Sequence, residues 1–280
     1  MESDPDWLGA CRRMSAGISA MLEAEYPSTL ERAVETGRGE GGDQALVIDR
    51  AAEEVIFGEL DALQSAGARF TALSEERGEV DYGDPGVRVV IDPIDGSMNA
   101  KRGLPHHALS VAVAVGNTMA DVEFGYVQDL GTGEEWRALR GEGCAWLNDA
   151  PVHAPQSERR TASGLLELVA IESAHPHWVA DCVGRLEGSA HRLRALGSIA
   201  LSLCQVAAGR VDGMVTLWRC RSVDAAAAQL IVRESGGLVA FTAFEDPLAA
   251  PLDLLPHSPV VAARTPRALA ELAGVPSSLG

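Results

Sequence analysis

Two aspartates three residues apart, at the end of an apolar run, are the strongest chemical signal in this sequence. The run 87–91 leads into the segment 92–97, which reads Asp-Pro-Ile-Asp-Gly-Ser. Pro93 has no backbone N–H, so we expect the strand not to continue past it as a central one. Gly96 permits a sharp turn and Ser97 suits a helix start. Carboxylates beside free helix-start N–H groups predict a site for Mg²⁺ together with a phosphate group.

Further acidic side chains stand at the ends of other regular elements. Glu75 and Glu76 follow the strand-like run 70–74, and Asp224 follows Ser222 at the start of a helical pattern. Alone, a Glu-Glu pair is typical of a solvated surface, and an aspartate after a serine is typical of a helix cap. Strand ends and helix starts are also where α/β proteins place ligands. Their occurrence together with Asp-Pro-Ile-Asp-Gly-Ser favours one shared site.

The elements that must position these residues begin with two helical patterns, Trp7 to Leu22 and Ala45 to Leu63. Between them lies the glycine-rich segment 35–43, which lacks the Gly-Lys-Ser/Thr ending of a P-loop. It can be interpreted as a surface connection or as a flexible flap over a site, and both interpretations stay open.

Strand patterns dominate from residue 87 to residue 147 and predict an antiparallel meander. After the polar, proline-containing segment 148–163, helices and strands alternate. The patterns predict strands at 165–171, at 213–217 and near Leu238 and Val260, and helices at 177–186, 198–208 and 222–234. We therefore predict a layered α/β (α+β) fold in two parts. Residues 1–156 carry the Glu-Glu pair and the Asp-Pro-Ile-Asp-Gly-Ser segment, and residues 157–280 carry Asp224.

The amino-acid composition limits the classes of partner that we expect this protein to bind. The 280 residues include 23 basic and 40 acidic side chains, a formal net charge of −17, which disfavours nucleic acid and anionic membrane surfaces. A phosphate ligand would then need metal ions rather than a basic patch. Five dispersed cysteines, an acidic N-terminal segment and no apolar run of ~20 residues predict a soluble, reduced, cytoplasmic protein without zinc or a disulfide framework.

The segment 92–99, Asp-Pro-Ile-Asp-Gly-Ser-Met-Asn, resembles the Asp-Pro-Ile/Leu-Asp-Gly-Thr/Ser-x-Asn signature of the inositol monophosphatase family, which belongs to the lithium-sensitive, magnesium-dependent phosphatase superfamily. The segments 73–76, 197–213 and 223–237 resemble further family motifs in family order, although Val223 replaces a tryptophan. Arg221-x-x-Asp224 and Asn99-Ala-x-x-Gly-x-Pro105 look like the archaeal type, whose members often act on both inositol phosphates and fructose 1,6-bisphosphate.

The resemblance implies an αβαβα sandwich of the sugar-phosphatase type and two or three Mg²⁺ ions. One ion would be held by Glu76, Asp92 and the Ile94 carbonyl, and a second by Asp92, Asp95 and Asp224. Asp49, six residues after Asp43 in a family Asp-x₅-Asp stretch, would lie near the attacking water. The side chains of Glu76 and Ser97 would orient that water. The implied substrate-binding residues are Asp95, Gly96, Ser97, Gly197, Ser198, Ile199, Leu217, Arg219, Arg221 and Asp224.

Departures from the family pattern concern the substrate. Leu217 stands where inositol phosphatases have an acid that binds ring hydroxyls, and Ile199 replaces a small residue, so myo-inositol 1-phosphate is disfavoured. Arg219 or Arg221 could bind a second phosphate or a carboxylate, or could be surface arginines paired with acids. His106 and His107 are interpreted as structural.

The expected function is Mg²⁺-dependent hydrolysis of a small sugar, polyol or inositol phosphate. Two alternatives stay open. One is a fructose 1,6-bisphosphatase or a pathway-dedicated phosphatase of the same family. The other is a non-catalytic member that binds a metal or ligand as a partner protein. The expected partner is a small phosphorylated metabolite, and the family implies a homodimer.

Overall fold

The computed structural model describes residues 5–42, 44–152 and 157–276. Its helices are α1 Trp7–Ala24, α2 Thr29–Arg32, α3 Val47–Ser65, α4 Ser97–Arg102, α5 Pro176–Ser189, α6 Ile199–Ala207, α7 Ser222–Glu234 and α8 Pro266–Ala273. Asp43 and the predicted boundary at residue 156 lie outside the described residues, so the two-part division stays a prediction.

The strands form a hairpin and two sheets. In chain order they are β1 Glu35–Arg38, β2 Gln44–Leu46, β3 Thr71–Ser74, β4 Gly78–Asp81, β5 Val87–Asp95, β6 Ala108–Val115, β7 Val122–Asp129, β8 Glu135–Leu139, β9 Ala145–Leu147, β10 Ala150–Val152, β11 Leu166–Glu172, β12 Ala190–Arg194, β13 Gly213–Thr216, β14 Leu238–Phe241 and β15 Val260–Ala263. The larger sheet has the order β10-β9-β8-β7-β6-β5-β3-β4, and the smaller sheet has the order β12-β11-β13-β15-β14.

Helices and sheets alternate in five layers. α1 and α3 pack together on one face of the larger sheet, α6 and α7 lie between the two sheets, and α5 and α8 cover the outer face of the smaller sheet. Three buried apolar clusters fill the spaces between these layers. α6 is buried almost all round because both of its sides face a sheet. The predicted αβαβα fold is confirmed.

The glycine-rich segment 35–43, interpreted as a surface connection or a flap, begins with the first strand of a hairpin. β1 pairs antiparallel with β2, with Glu35 opposite Leu46 and Arg38 opposite Gln44. The register shifts between Glu35 and Gly37, where φ of Gly37 is +119°. Periodicity could not indicate so short a two-stranded ribbon.

The prediction that Pro93 ends the central strand was wrong. β5 continues to Asp95 between β3 and β6. Its pairing with β6 shifts at this point: Asp92 lies opposite Ser110 and Asp95 opposite Ala108, so three steps on β5 face two on β6. Such a bulge tolerates a residue without an N–H and turns nearby side chains. The bulge therefore sets the directions of the Asp92 and Asp95 side chains.

Candidate functional site

A cavity of about 750 Å³ opens at the carboxyl ends of β5 and β11 and the starts of α4 and α7. Twelve of the fourteen predicted site residues line it: Asp49, Glu76, Asp92, Ile94, Asp95, Gly96, Ser97, Gly197, Ile199, Arg219, Arg221 and Asp224. The remaining two, Ser198 and Leu217, lie beneath or away from its wall. The structure therefore gathers residues from both halves of the sequence around one cavity.

Asp92 and Asp95 are both buried but have different partners. The Asp92 carboxylate accepts a 3.0 Å hydrogen bond from the Ile94 N–H. The Asp95 carboxylate accepts 2.6 Å and 2.7 Å hydrogen bonds from the Ser198 hydroxyl and the Ala200 N–H. Asp95 thus joins the end of β5 to the N-terminus of α6, where an anion is favoured by the exposed N–H groups.

Glu75, rather than Glu76, is the neighbour of Asp92. β3 and β5 run parallel with Ser74 opposite Ile91, so the next residues on the two strands are Glu75 and Asp92. Burial raises the pKa of Asp92 well above its usual range, and the largest repulsion adding to this comes from Glu75. The sequence prediction assigned Glu76 to the ion shared with Asp92. The register instead favours Glu75 for that place.

Glu76 faces the other side of the turn, toward Asp49 and the β1–β2 hairpin. Burial raises the pKa of Asp49 to about 7, and repulsion by Glu76 contributes. A Cβ on Gly39, at the hairpin tip, would lie 2.6 Å from the Glu76 carboxylate. Both glutamates line the cavity.

The hairpin tip docks on the Glu75–Glu76 turn through its backbone. The N–H of Glu40 donates to the Glu76 carbonyl at 3.2 Å, and the N–H of Gly41 donates to the Glu75 carbonyl at 2.8 Å. Gly41 itself lines the cavity. The interpretation of this segment as cover over a site therefore agrees with its position better than that of a surface connection.

Sequence reasoning missed Glu53, which holds the same turn from below. Its buried carboxylate accepts hydrogen bonds from the Ser74 hydroxyl and, at 3.2 Å, from the Arg77 N–H. The Arg77 guanidinium lies 3.3 Å from it. Glu53 lies one helical turn after Asp49 on α3, and this i, i+4 spacing was the signal available in the sequence.

Arg221 neutralises two of the site carboxylates. Its guanidinium lies 2.8 Å from Glu75 and 3.3 Å from Asp224, and it reaches the Gly41 carbonyl at 3.5 Å. The Arg221 N–H also donates to Asp224 at 2.9 Å. Burial raises the pKa of Glu75 to about 8, although Arg221 opposes that rise. The interpretation of Arg221 as an arginine paired with acids matches this geometry.

Glu172 is a second carboxylate that sequence reasoning missed. It stands at the end of β11 and lines the cavity, and burial raises its pKa to about 7. It accepts hydrogen bonds from the Leu196 N–H at 2.9 Å, the Gly197 N–H at 3.0 Å and the Ser202 hydroxyl at 2.6 Å. Its position after an apolar strand was the available signal.

Gly96 and Gly197 let two loops approach each other closely. A Cβ on Gly96 would lie 2.9 Å from the Gly197 carbonyl oxygen, and one on Gly197 would lie 2.8 Å from the Asn99 amide. Both glycines have positive φ, +91° and +84°. The Asn99 amide donates to the carbonyls of His106 and Leu196, which fastens α4 to the start of α6.

Leu217 does not contact the cavity, contrary to the sequence prediction. Its side chain is fully buried in the apolar cluster beneath α5 and α8. Because side chains alternate along a strand and its extension, Trp218 faces the cavity instead. Ser198 is also buried, and its hydroxyl holds Asp95 rather than lining the wall.

The two histidines take structural positions, as predicted. His106 lies 3.2 Å from the Asp129 carboxylate, and the buried His107 ring lies 3.2 Å from the Leu104 carbonyl. Burial lowers the pKa of His107. Neither histidine lines the cavity.

The donor set fits a magnesium site chemically. Burial raises the pKa of Asp49, Asp95, Glu75 and Asp92, with mutual repulsion as a further cause, so a bound cation would favour the ionised carboxylates that the metal-free site disfavours. Asp49 Oδ1 is buried without a hydrogen-bond partner in the described ranges. No three acidic, histidine or cysteine side chains of residues 5–42, 44–152 and 157–276 form a ready-made metal cluster. In this structure several of these carboxylates accept hydrogen bonds or form ion pairs with Arg221.

The fold is an α/β sandwich of the sugar-phosphatase type, and comparison with known proteins agrees with it. The profile of the Inositol monophosphatase family matches residues 8–276. The chain belongs to the inositol monophosphatase family, as its motifs predicted.

Individual relatives add detail. The chain is 32% identical over 244 residues to the fructose-1,6-bisphosphatase/inositol-1-monophosphatase of Methanothermobacter thermautotrophicus, covering 83% of each protein. It is 36% identical over 211 residues to the Nus factor SuhB of Escherichia coli, covering 74% of this chain and 75% of that protein. The predicted likeness to the archaeal type is confirmed, and both names belong to relatives, not to this chain.

Solved structures share the fold. An inositol monophosphatase-fructose 1,6 bisphosphatase superposes with a TM-score of 0.80 at 22% identity, covering 96% of this chain and 99% of that one. The extragenic suppressor protein SuhB of Bartonella henselae gives 0.77 at 24% identity, covering 97% and 99%. Within the described residues, no helix is both long and apolar enough to cross a bilayer.

Proposed function

We propose that this protein is a Mg²⁺-dependent phosphomonoesterase acting on a small sugar, polyol or inositol phosphate. One observation supports this most: acidic side chains from four separate elements meet on one cavity. They are Asp49 on α3, Glu75 after β3, Asp92 and Asp95 on β5, and Asp224 on α7. Buried carboxylates of one sign are costly without counter-cations, so their convergence favours a metal-dependent site over a structural cluster.

Asp92, Asp95, Asp224 and the Ile94 carbonyl would hold Mg²⁺, and the parallel register adds Glu75 to this set in preference to Glu76. Mg²⁺ supplies charge neutralisation on the phosphoryl oxygens and makes a bound water more acidic. Oxygen ligands of this type suit the ion, whether two or three are bound.

The chain's own residues would orient the reactants. Amide groups of Gly96 and Ser97 at the start of α4 would bind the phosphate oxygens. The Ser97 hydroxyl and the Asp49 carboxylate would hydrogen-bond the attacking water, with Glu76 next to Asp49. Asp95 would hold α6 in place through Ser198, so Gly197 and Ile199 stay at the cavity wall.

The test is phosphate release by the full chain from a panel of sugar, polyol and inositol phosphates with Mg²⁺. We expect turnover of at least one ester, loss of turnover in EDTA, recovery with Mg²⁺, and inhibition by Li⁺. Asp92→Asn should lose turnover while Asp246→Asn, on an exposed loop, keeps it. If turnover persists in EDTA and in Asp92→Asn, the proposed Mg²⁺-dependent mechanism is wrong.

A bisphosphatase is the closest alternative, supported by the name of the archaeal relative. A dedicated phosphatase of one biosynthetic pathway is another within the family. Measuring kcat/KM for a series of monophosphates and bisphosphates distinguishes a bisphosphatase from a dedicated phosphatase. Turnover limited to one ester would favour a dedicated enzyme, and similar turnover of unlike esters would favour a broad one.

A non-catalytic partner protein is supported by the name Nus factor of several relatives. It predicts Mg²⁺ binding in calorimetry with no turnover on the whole panel. The proposal also includes a cytoplasmic homodimer with no nucleic-acid or membrane partner, in line with the net charge of −17. Light scattering and a nucleic-acid binding assay at physiological salt test these parts.

A further inference from the structure

Arg219 differs from Arg221 in its partners, although both reach the same cavity from the segment between β13 and α7. Arg221 is held by Glu75 and Asp224. Among the described residues no carboxylate pairs with Arg219, and its buried Nε has no hydrogen-bond partner. In a chain with a net charge of −17, an arginine without an acidic partner in an acidic cavity needs a reason.

Arg219 lies beside a pair of stacked tryptophan rings. Its guanidinium carbon lies 5.6 Å from the centre of the Trp218 ring. Trp218 stacks on Trp178 with ring centres 4.0 Å apart and planes 9° apart. The buried Leu217 fixes the chain just before them. The guanidinium of Arg219 therefore keeps unused hydrogen-bond donors beside the two stacked tryptophans.

An unsatisfied buried N–H is costly, and a planar guanidinium binds phosphate or carboxylate through paired hydrogen bonds. In the proposed function, which this inference extends, the scissile phosphate lies against residues 92–97. An anion bound by Arg219 would therefore be a second group of the substrate. We propose that Arg219 is the specificity-determining residue for a phosphomonoester that carries a second anionic group, and that Arg221 is not.

The test compares matched substrates with the full-length protein and Mg²⁺. Fructose 1,6-bisphosphate and fructose 1-phosphate differ by one phosphate, and 3-phosphoglycerate and glycerol 3-phosphate differ by one carboxylate. The wild type should prefer the member with the second anionic group in at least one pair, and the identity of that pair distinguishes a phosphate subsite from a carboxylate subsite. Arg219→Gln should lower kcat/KM for that member about 10- to 100-fold, mainly through KM. The partner substrate should change little.

Two controls separate recognition from a structural role. Arg219→Lys should recover part of the preference because it keeps the charge, and Arg140→Gln, at the exposed Arg140–Glu123 pair, should change neither substrate. The proposal is overturned by a wild type that treats both members of both pairs alike. An equal loss for both members in Arg219→Gln would overturn it as well.

Binding measurements test the role of Arg219 separately from the proposed phosphatase activity. If the wild type hydrolyses none of these esters, calorimetry measures their binding to wild type and Arg219→Gln with Mg²⁺ present. If the ligand with the second anionic group binds more tightly to wild type, and this preference disappears in Arg219→Gln, the role of Arg219 is supported although the activity proposal fails. Equal binding of the paired ligands to wild type overturns the inference.

Discussion

The Arg221 guanidinium lies 2.8 Å from the Glu75 carboxylate, which joins the start of α7 to the end of β3. It also lies 3.3 Å from Asp224. Arg221 is thus an internal counter-cation beside two of the carboxylates that are the proposed metal ligands. A divalent ion on Glu75 and Asp224 must compete with this guanidinium, so metal affinity and metal-free stability are opposed here.

Arg221→Gln should therefore destabilise the metal-free protein by about 1–2 kcal/mol, less than a fully buried pair because the arginine is partly exposed. The same variant should bind Mg²⁺ more tightly than wild type. Urea unfolding in EDTA and Mg²⁺ calorimetry measure the two effects. Arg210→Gln is the matched control, since Arg210 pairs with Glu134 outside the cavity, and it should leave Mg²⁺ affinity unchanged. If Arg221→Gln binds Mg²⁺ more weakly than wild type, the guanidinium and the metal ion do not compete for these carboxylates.

Asp92→Asn should trade activity for stability. Burial and repulsion from Glu75 raise the pKa of Asp92, so the ionised carboxylate destabilises the metal-free fold. The asparagine oxygen can still accept from the Ile94 N–H. We expect turnover to fall by about 10³-fold or more while metal-free unfolding free energy rises by about 1 kcal/mol. Asp246→Asn serves as the surface control. A less stable metal-free Asp92→Asn would refute the charge argument.

The metal-free protein should lose stability as the pH rises from about 5 to about 8. Burial raises the pKa of Asp95 to about 7 and of Glu75 to about 8, whereas unfolded carboxyls titrate near about 4. Between these values the folded state binds more protons, so its unfolding free energy decreases with pH. Saturating Mg²⁺ should flatten the dependence. Unfolding at several pH values in EDTA and in Mg²⁺ measures it, and a rise toward pH 8 in EDTA would contradict it.

Gly197→Ala should disturb the site through a clash rather than through φ alone. A Cβ there would lie 2.8 Å from the Asn99 amide, whereas one on Gly133 would meet nothing within 4 Å. The two glycines have similar φ, +84° and +80°. Gly133→Ala should cost about 1 kcal/mol from backbone strain, and Gly197→Ala about 1–3 kcal/mol more, with a higher KM. Equal unfolding free energies for the two variants would exclude the clash.

The sequence predicted much of the fold because the signals are local. Helix α7 occupies residues 222–234 as its pattern indicated, and strands β5 to β9 occupy the stretch from 87 to 147 where strand patterns dominate. The sequence patterns did not predict α2, α8, β10 and β12, which are short or lie outside strong periodic runs. The bulge at Pro93 was missed because pairing with β6, a long-range interaction, kept β5 central.

The sequence by itself determined that Asp92, Asp95, Gly96 and Ser97, the residues proposed to carry the chemistry, are neighbours, because they lie within one short segment. Only the tertiary structure decided which side chains face that segment. Glu75 and Glu76 are consecutive and point apart, so the parallel register with β5 chose Glu75. The same alternation buried Leu217 away from the cavity, and the position of Glu172 at the end of β11 placed it in the cavity wall. Spacing along a chain sets local geometry, but the register and packing of strands distant in sequence set the direction in which each side chain points.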